Sequence, residues 1–206
     1  MKKTLLVLAF LSMTLFMMAQ EHQKQREIGL VFSNLNNFGL TFKTGTEKSL
    51  WRFSTLYLSG NMSTQKDDIS KTTNTSNGVG ISAGLEFRVP VVEHLEFRYG
   101  FDVSFSFSRS KEENTDASLP SQNRTQTSTT YQPGVNMVLG FNYAIQNKLV
   151  IGAEFLPFIS YTTGTSVVKS TYFEGSEEKT TNSGFSYGVN TTSVQVSIAY
   201  RFGKKK

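Results

Sequence analysis

The chain contains no cysteine and only two histidines among its 206 residues. The absence of cysteine excludes a disulfide framework and a lipid-modified N-terminal cysteine, and it removes the thiolates that most structural zinc sites use. The two histidines, His22 and His94, have no serine and carboxylate pattern around them of the kind that builds a hydrolase triad. No phosphate-binding glycine motif is present. The sequence therefore offers no catalytic residue, and we expect no cofactor and no metal site.

Long apolar runs are also missing, apart from one at the N-terminus. Two lysines precede an apolar run, residues 5–18, which leads into Ala19 and a polar segment. This run is shorter than the roughly 20 residues that a membrane-spanning helix needs. A basic start, a short apolar stretch and a small residue before a polar segment are typical of a secretory signal peptide. We therefore expect residues 1–19 to be a signal peptide and residues 20–206 to form one domain.

The body of the chain also lacks an excess of charge of one sign. The net charge is +5, and five lysines near the two ends of the chain account for all of it. They are Lys2, Lys3, Lys204, Lys205 and Lys206. No basic stripe remains of the kind that binds phosphate backbones. We therefore expect no nucleic-acid partner.

What the chain does have is a strict alternation of apolar and polar residues, which is clearest between Leu95 and Arg109. The odd-numbered residues in this segment are apolar and mostly aromatic, whereas the even-numbered residues are small or charged. Only an extended strand turns a period of two residues into two distinct faces. The pattern recurs in eight segments, which we predict as strands at about residues 27–33, 38–42, 50–62, 79–89, 95–109, 135–143, 149–161 and 185–202.

The alternation changes parity in the third predicted strand. Trp51 and Phe53 share one parity, whereas Leu56 and Leu58 take the other. A β-bulge adds one residue to a strand and so re-aims the side chains that follow. We predict a bulge near residues 54–55.

A second irregularity is Pro157 in the seventh predicted strand. Proline has no amide donor, which predicts a bulge or a local break. Val150, Leu156 and Phe158 are apolar at positions where the pattern calls for polar residues. They predict either an apolar pocket inside the barrel or a shift of register at Pro157, and we favour the shift.

The connections between the predicted strands alternate in length. The second, fourth and sixth are short, whereas the third, fifth and seventh are long and polar, at about residues 63–77, 110–126 and 166–184. Short turns at one end and long loops at the other are typical of outer-membrane β-barrels, whose short turns face the periplasm. The first connection is an exception because it is also short. With an even strand count, this predicts that both termini are periplasmic.

The polar face of the strands is rich in glycine, serine and asparagine and carries charges of both signs. The charged residues are Arg52, Glu86, Arg88, Glu96, Arg98, Asp102, Glu154 and Arg201. An eight-stranded barrel has room inside only for side chains, and buried charges are tolerated when they pair. We therefore predict that these eight residues form a charge network in the lumen.

Aromatic residues cluster toward the two ends of the predicted strands. Near the short turns lie Trp51, Phe87, Phe97, Tyr143, Tyr200 and Phe202, and near the long loops lie Phe105, Phe107, Tyr131 and Tyr161. Two such bands match the aromatic girdles of membrane barrels at the lipid–water interfaces.

The last strand alternates apolar and polar residues and closes on an aromatic one. Its apolar residues are Val194, Val196, Ile198, Tyr200 and Phe202. This pattern resembles the C-terminal signal by which barrel-insertion machinery recognises outer-membrane proteins, although four residues follow Phe202 here. Taken together, the mature chain resembles the small eight-stranded outer-membrane β-barrels of OmpA/OmpX type.

The resemblance implies an all-β fold, namely an eight-stranded antiparallel up-and-down transmembrane β-barrel in the outer membrane of a Gram-negative cell. It also implies contact with outer-membrane lipid and lipopolysaccharide, and a non-enzymatic structural or adhesion-like role toward an extracellular partner. Residues 104–110, 128–131 and 161–169 keep a strand-like composition, so strands five to eight could continue beyond the bilayer. A sheet that protrudes in this way could bind foreign strands at its edge.

Three alternatives remain open on the sequence alone. The first is a narrow transporter for a small or lipophilic solute. The second is a lipid-modifying barrel enzyme, which the missing histidine and serine constellation opposes. The third is a soluble secreted barrel of lipocalin type, in which the aromatic face would point inward and the charged face would meet water.

Overall fold

The computed structural model describes residues 25–34, 37–116, 118, 123–170, 177–190 and 192–202. The predicted signal peptide and the four residues after Phe202 lie outside this part of the chain, so the domain bounds predicted from the sequence stay a prediction. Within the described residues, no helix has the length and apolar character needed to cross a membrane.

The described chain folds into antiparallel strands joined by turns. The strands are β1 (Gln25–Asn34), β2 (Asn37–Gly45), β3 (Ser49–Lys66), β4 (Ser70–Val92), β5 (Leu95–Asp116), β6 (Arg124–Ile145), β7 (Leu149–Phe155), β8 (Phe158–Ser170), β9 (Glu177–Gly188) and β10 (Val194–Phe202).

Eight of these strands close into a barrel. Each strand from β1 to β6 pairs with the next one along the chain, β7 pairs with β10, and β10 pairs with β1. Strand β8 continues β7 and pairs with the first half of β6, and β9 pairs with β8 and precedes β10. Strands β7 and β8 therefore share one position in the ring, and β9 and β10 share another. The predicted fold class, an eight-stranded antiparallel up-and-down barrel, is confirmed.

The break at Pro157 leaves the register unchanged. Strand β6 pairs Leu139 with Phe155 in β7 and Asn136 with Phe158 in β8, a step of three residues on both sides. Met137 N–H donates to the carbonyl oxygen of Pro157 at 2.9 Å. Proline therefore removes only a donor, and the ladder continues through its carbonyl. The predicted local break is confirmed, but the favoured register shift is wrong.

The bulge in β3 lies one residue beyond the predicted position. Pairing between β3 and β4 shifts between Thr55 and Tyr57, which leaves Leu56 as the extra residue. The hydroxyl oxygen of Thr55 accepts a hydrogen bond from the amide of Leu40 at 2.8 Å, where the β2–β3 ladder ends. The bulge predicted from the parity change is thus confirmed.

The three long polar connections are mostly strands, and their prediction as loops is wrong. Strands β3 and β4 are joined by residues 67–69, and β5 runs to Asp116 before β6 begins at Arg124. Strand β8 runs to Ser170 and β9 begins at Glu177. Continuation beyond the barrel was expected for strands five to eight and is confirmed, and the third and fourth strands continue as well.

These continuations form one six-stranded sheet, which we call the extended sheet. It consists of residues 56–66 of β3, residues 70–80 of β4, residues 106–116 of β5, residues 124–136 of β6, and all of β8 and β9. The hairpin of β1 and β2 is short, since β1 ends at Asn34 and β2 begins at Asn37, and it has no part in this sheet. The barrel is therefore tall on one side and short on the other.

At the tip of β3 and β4 the turn is held by Asp67. Its carboxylate accepts hydrogen bonds from the amides of Ile69 and Ser70 and from the Ser70 hydroxyl. The side-chain hydrogen bond from Ser70 is the main cause that lowers the pKa of the Asp67 carboxyl below its ordinary value.

Candidate functional site

The charged face of the strands points into the barrel. In β7, Val150, Gly152 and Glu154 are buried whereas the residues between them are exposed. In β4 the buried residues include Glu86 and Arg88, which alternate with outward-facing Leu85 and Phe87. The lumen is therefore lined by the polar half of each alternating strand, as in a barrel that meets an apolar medium outside.

The apolar residues of the same strands form the outer surface. Phe101 is 48% exposed, and its cross-strand partners Leu85 and Met137 also point outward. A soluble monomer rarely exposes a continuous apolar surface of this extent, because water contact with it is unfavourable. A soluble lipocalin-type barrel would have the opposite polarity, so the structure contradicts that alternative. The medium around the barrel is lipid.

Glu86 is the centre of the lumenal charge network. It is fully buried, and four cationic side chains surround its carboxylate. Lys43 Nζ lies 2.7 Å from Oε2, and Arg88 Nε donates to Oε1 at 2.7 Å. Arg52 and Arg98 each approach Oε2 to 3.5 Å. Four cations around one carboxylate tie β2, β3, β4 and β5 together across the lumen.

Toward the extended sheet the network continues through Arg52. Its guanidinium forms a two-bond contact with Glu154, at 2.9 and 3.3 Å, and its Nε lies 3.2 Å from Asp102. Arg98 adds a second cation 3.3 Å from Glu154. Because β7 lies across the ring from β3, this contact spans the lumen.

Toward the short turns the network continues through Glu27. Arg88 donates two hydrogen bonds of 2.7 Å to its carboxylate. Arg201 donates from Nε to Glu27 at 2.7 Å and from both Nη atoms to Glu96 at 3.0 and 2.8 Å. Glu96 is the least buried member of this group, so the network reaches the rim at the short-turn end.

All eight charged residues predicted for the lumen therefore lie in one connected group. Two further members, Glu27 and Lys43, are 1% and 4% exposed and were not predicted from the sequence. The alternation in the sequence already indicated that both face the lumen, since Glu27 precedes outward-facing Ile28 and Lys43 follows outward-facing Phe42. With them, the described network contains five carboxylates and five cations, so its charges balance.

The side chains leave little empty space in the lumen. One cavity of about 20 Å³ lies beside Arg52, Asp102 and Leu156, with room for about one water molecule. Val150 and Leu156, which depart from the polar pattern of their strand, are 2% and 7% exposed and form an apolar wall of the lumen with Val31. These two side chains therefore line the lumen, as the apolar-pocket interpretation required. The empty space beside them is too small to hold a solute.

Two groups of aromatic side chains contact one another on the outer surface. Near the short turns, Phe97 stacks with Tyr99 and contacts Phe141, with ring centroids 6.0 and 5.3 Å apart. At the base of the extended sheet, Phe107 and Tyr131 have ring centroids 5.3 Å apart. The two groups lie at opposite ends of the outward-facing apolar residues of β5. The barrel therefore has an apolar zone with an aromatic band at each end.

The described residues contain no group of three or more histidine, aspartate or glutamate side chains that could hold a metal ion. His94 lies in the β4–β5 turn with a positive φ of 68°, next to Glu93 at 3.4 Å and the ring of Tyr143. The other histidine, His22, lies outside the described residues. In β10, the five apolar residues predicted as an insertion signal all face outward, and their role in insertion stays a prediction.

Neither a family model nor a curated protein matches the chain. Among solved structures, a major outer membrane protein from Thermus thermophilus is similar with a TM-score of 0.50 and 15% identity, over 88% of this chain and all of that one. The fold is that of a small outer-membrane β-barrel. Two further structures match this barrel with lower scores. Ail, the attachment invasion locus protein of Yersinia pestis, has a TM-score of 0.34 and 12% identity over 89% of this chain and 100% of its own. CarO of Acinetobacter baumannii has a TM-score of 0.33 and 9% identity over 87% of this chain and 97% of its own.

The second candidate site of this barrel is the pair of edges of its extended sheet. In the described residues, β9 pairs only with β8, and β3 beyond Thr55 pairs only with β4. Neither edge contains proline, residues 56–65 carry no charge, and the charges of β9 are confined to its first three residues. Proteins usually protect such edges with prolines, charges or short strands. Both edges are therefore open to pairing with another chain.

Proposed function

We propose that this protein is a non-enzymatic outer-membrane barrel that anchors the extended sheet outside the cell and offers it to an extracellular protein partner. The observation that carries the proposal is the extended sheet itself, whose two long edges have backbone groups without a strand partner among the described residues. Strand addition to an exposed edge is a common mode of polypeptide recognition, because the main-chain hydrogen bonds supply affinity.

The orientation in this proposal follows from the turn lengths. The short turns and both termini lie in the periplasm, and the extended sheet crosses the lipopolysaccharide layer. Outer-membrane lipid and lipopolysaccharide contact the aromatic bands and the apolar zone between them. The apolar residues of β10 are recognised by the barrel-insertion machinery.

The filled lumen supports a structural rather than a transport role. A conducting pore needs a continuous aqueous path, whereas the charged side chains from β2, β3, β4, β5 and β7 meet at the axis of this barrel. We expect the purified protein in planar lipid bilayers to show no steady conductance above that of protein-free membranes. Reproducible single-channel steps at neutral pH would favour the transport alternative instead.

Shortening the extended sheet to its base at the barrel tests the proposed role. A trimmed barrel is made by replacing residues 61–76, 108–130 and 164–182 with Asn-Gly turns, which joins the cross-strand pairs Gly60–Asn77, Phe107–Tyr131 and Thr163–Ser183. Cells that carry the full barrel are expected to adhere to at least one surface in a panel of collagens, laminin and mucin. Adhesion of cells with the trimmed barrel is expected to fall about tenfold or more, because several strand-addition hydrogen bonds are lost.

The control in this experiment is the barrel itself. Heat-modifiable migration on gels reports whether the trimmed variant is folded and inserted in equal amount. If cells with the full and the trimmed barrel adhere equally to every surface, the extended sheet has no role in adhesion and the proposed function is wrong.

A further inference from the structure

The two open edges of the extended sheet face the same gap in the ring of strands. At the level of the barrel, β2 and β1 lie between β3 and β10. Beyond Asn34 of β1 and Asn37 of β2, these two positions have no strand among the described residues, whereas β3 and β9 continue on either side. The gap is therefore two strand positions wide, and the short β1–β2 hairpin forms its floor.

The directions of the strands decide what can fill such a gap. Strand β3 runs away from the short turns and β9 runs back toward them, as alternate strands do in an up-and-down barrel. A single added strand would be antiparallel to one edge and parallel to the other. Two strands that are antiparallel to each other would be antiparallel to both edges, so a hairpin would complete the eight-stranded ring.

We propose that the partner of the extended sheet docks as a β-hairpin, which fills the gap above β1 and β2 and pairs with β3 on one side and with β9 on the other. This inference rests on the proposed function, because it names the structural class of the partner for the same edges. The 12 residues of β9 and residues 56–66 of β3 provide edges of about 35–40 Å.

The side chains beside the gap define the chemistry of this hairpin. On the outer face of the edges, Leu58 is 85% exposed and Tyr187 is 83% exposed, with Met62 and Phe185 also on this face. The inner face carries small polar side chains and glycine at the corresponding positions. They are Ser59, Asn61 and Ser63 on β3 and Asn182, Gly184 and Ser186 on β9. The matching hairpin has apolar or aromatic residues on its outer face near the membrane and small hydroxyl or amide residues on its inner face.

The probe for this proposal is a set of disulfide-closed hairpin peptides. They are selected from a displayed library on the full barrel in lipid nanodiscs, with counter-selection on the trimmed barrel. Fluorescence anisotropy then compares each closed hairpin with its two strands as separate linear peptides. Because a hairpin pairs with two edges at once, we expect it to bind about tenfold or more tightly than either strand alone.

Proline variants identify the edge that each hairpin uses. The variants are Asn61→Pro and Met62→Pro on β3, and Thr181→Pro and Asn182→Pro on β9. Successive amides of a strand point to opposite sides, so one variant of each pair removes a donor at the open edge and the other removes a donor toward β4 or β8. Amide exchange of the neighbouring strand tells the two apart, and the variant that leaves the extended sheet intact is the one used for binding.

The outcomes separate this inference from the proposed function. Loss of about tenfold or more in hairpin affinity for the open-edge variant on β3, and likewise for the one on β9, supports docking of a hairpin across the gap. A loss for one edge only means addition of a single strand, which overturns the hairpin and leaves the proposed function standing. A library that yields no hairpin preferring the full over the trimmed barrel also overturns it. Adhesion of cells with the trimmed barrel decides the proposed function independently.

Discussion

Replacing Glu86 with glutamine is expected to lower the free energy of unfolding by about 3–5 kcal/mol. Glu86 is fully buried, and its carboxylate is the anion that four cations share. Glutamine keeps the size of the side chain but removes its charge, which leaves a buried excess of positive charge around it. The measurement is urea unfolding of the protein in phospholipid vesicles, followed by the fluorescence of the single tryptophan, Trp51.

Two control variants separate charge balance from packing in this experiment. Glu96→Gln acts at the partly exposed rim of the same network, so its loss is expected to be smaller, roughly 1–3 kcal/mol. Adding Lys43→Met to Glu86→Gln removes a cation together with the anion and restores the balance, so the double variant recovers part of the loss. A change below about 1 kcal/mol for Glu86→Gln would mean that water screens the lumen and that the network is not buried.

Replacing Phe101 with arginine is expected to destabilise the barrel by about 2–4 kcal/mol, because it places a charge at the middle of the bilayer. Phe101 faces outward on β5, with the aromatic band of Phe97 and Tyr99 on one side and that of Phe105 and Phe107 on the other. Its neighbours on β4 and β6 are also apolar. The same urea titration in vesicles measures the effect.

The matched control is Phe107→Arg on the same face of the same strand. Position 107 lies in the aromatic band at the base of the extended sheet, where the cost of a charged side chain falls to about 0–1 kcal/mol. The difference between the two variants therefore measures depth in the bilayer rather than loss of an aromatic ring. Equal effects of the two substitutions would contradict an outer surface in contact with lipid.

Much of the barrel could be predicted because lipid outside and side chains inside impose opposite requirements on neighbouring residues. The alternation around Phe101 and Asp102 therefore predicted which residue faces outward and which faces the lumen. The parity change before Leu56 predicted the bulge for the same reason. Glu27 and Lys43 followed the same rule, but they lie near the ends of two short strands, and the pattern did not show how close they lie to Arg88 and Glu86.

The extended sheet was predicted only in part because its strands have water on both faces beyond the aromatic band at its base. Beyond the aromatic band, polar residues such as Thr73 and Asn74 are suitable on either face of the strand. The alternation of apolar and polar residues therefore disappears, and the segment looks like a loop. The pairing of Thr73 with Thr64 and Glu113 depends on strands already aligned by the barrel below. Register, once set in the membrane, continues upward through polar residues that do not specify it by themselves.

The sequence by itself determined the fold class, the strand faces and the inward position of the charged residues, since each of these follows from the solvent that a side chain meets. Only the tertiary structure decided which charges share Glu86, that Pro157 leaves the register intact, and that β3 and β9 run past the β1–β2 hairpin with open edges. These features depend on distances between strands far apart in the chain, and ring closure sets those distances, whereas a local pattern carries no information about them.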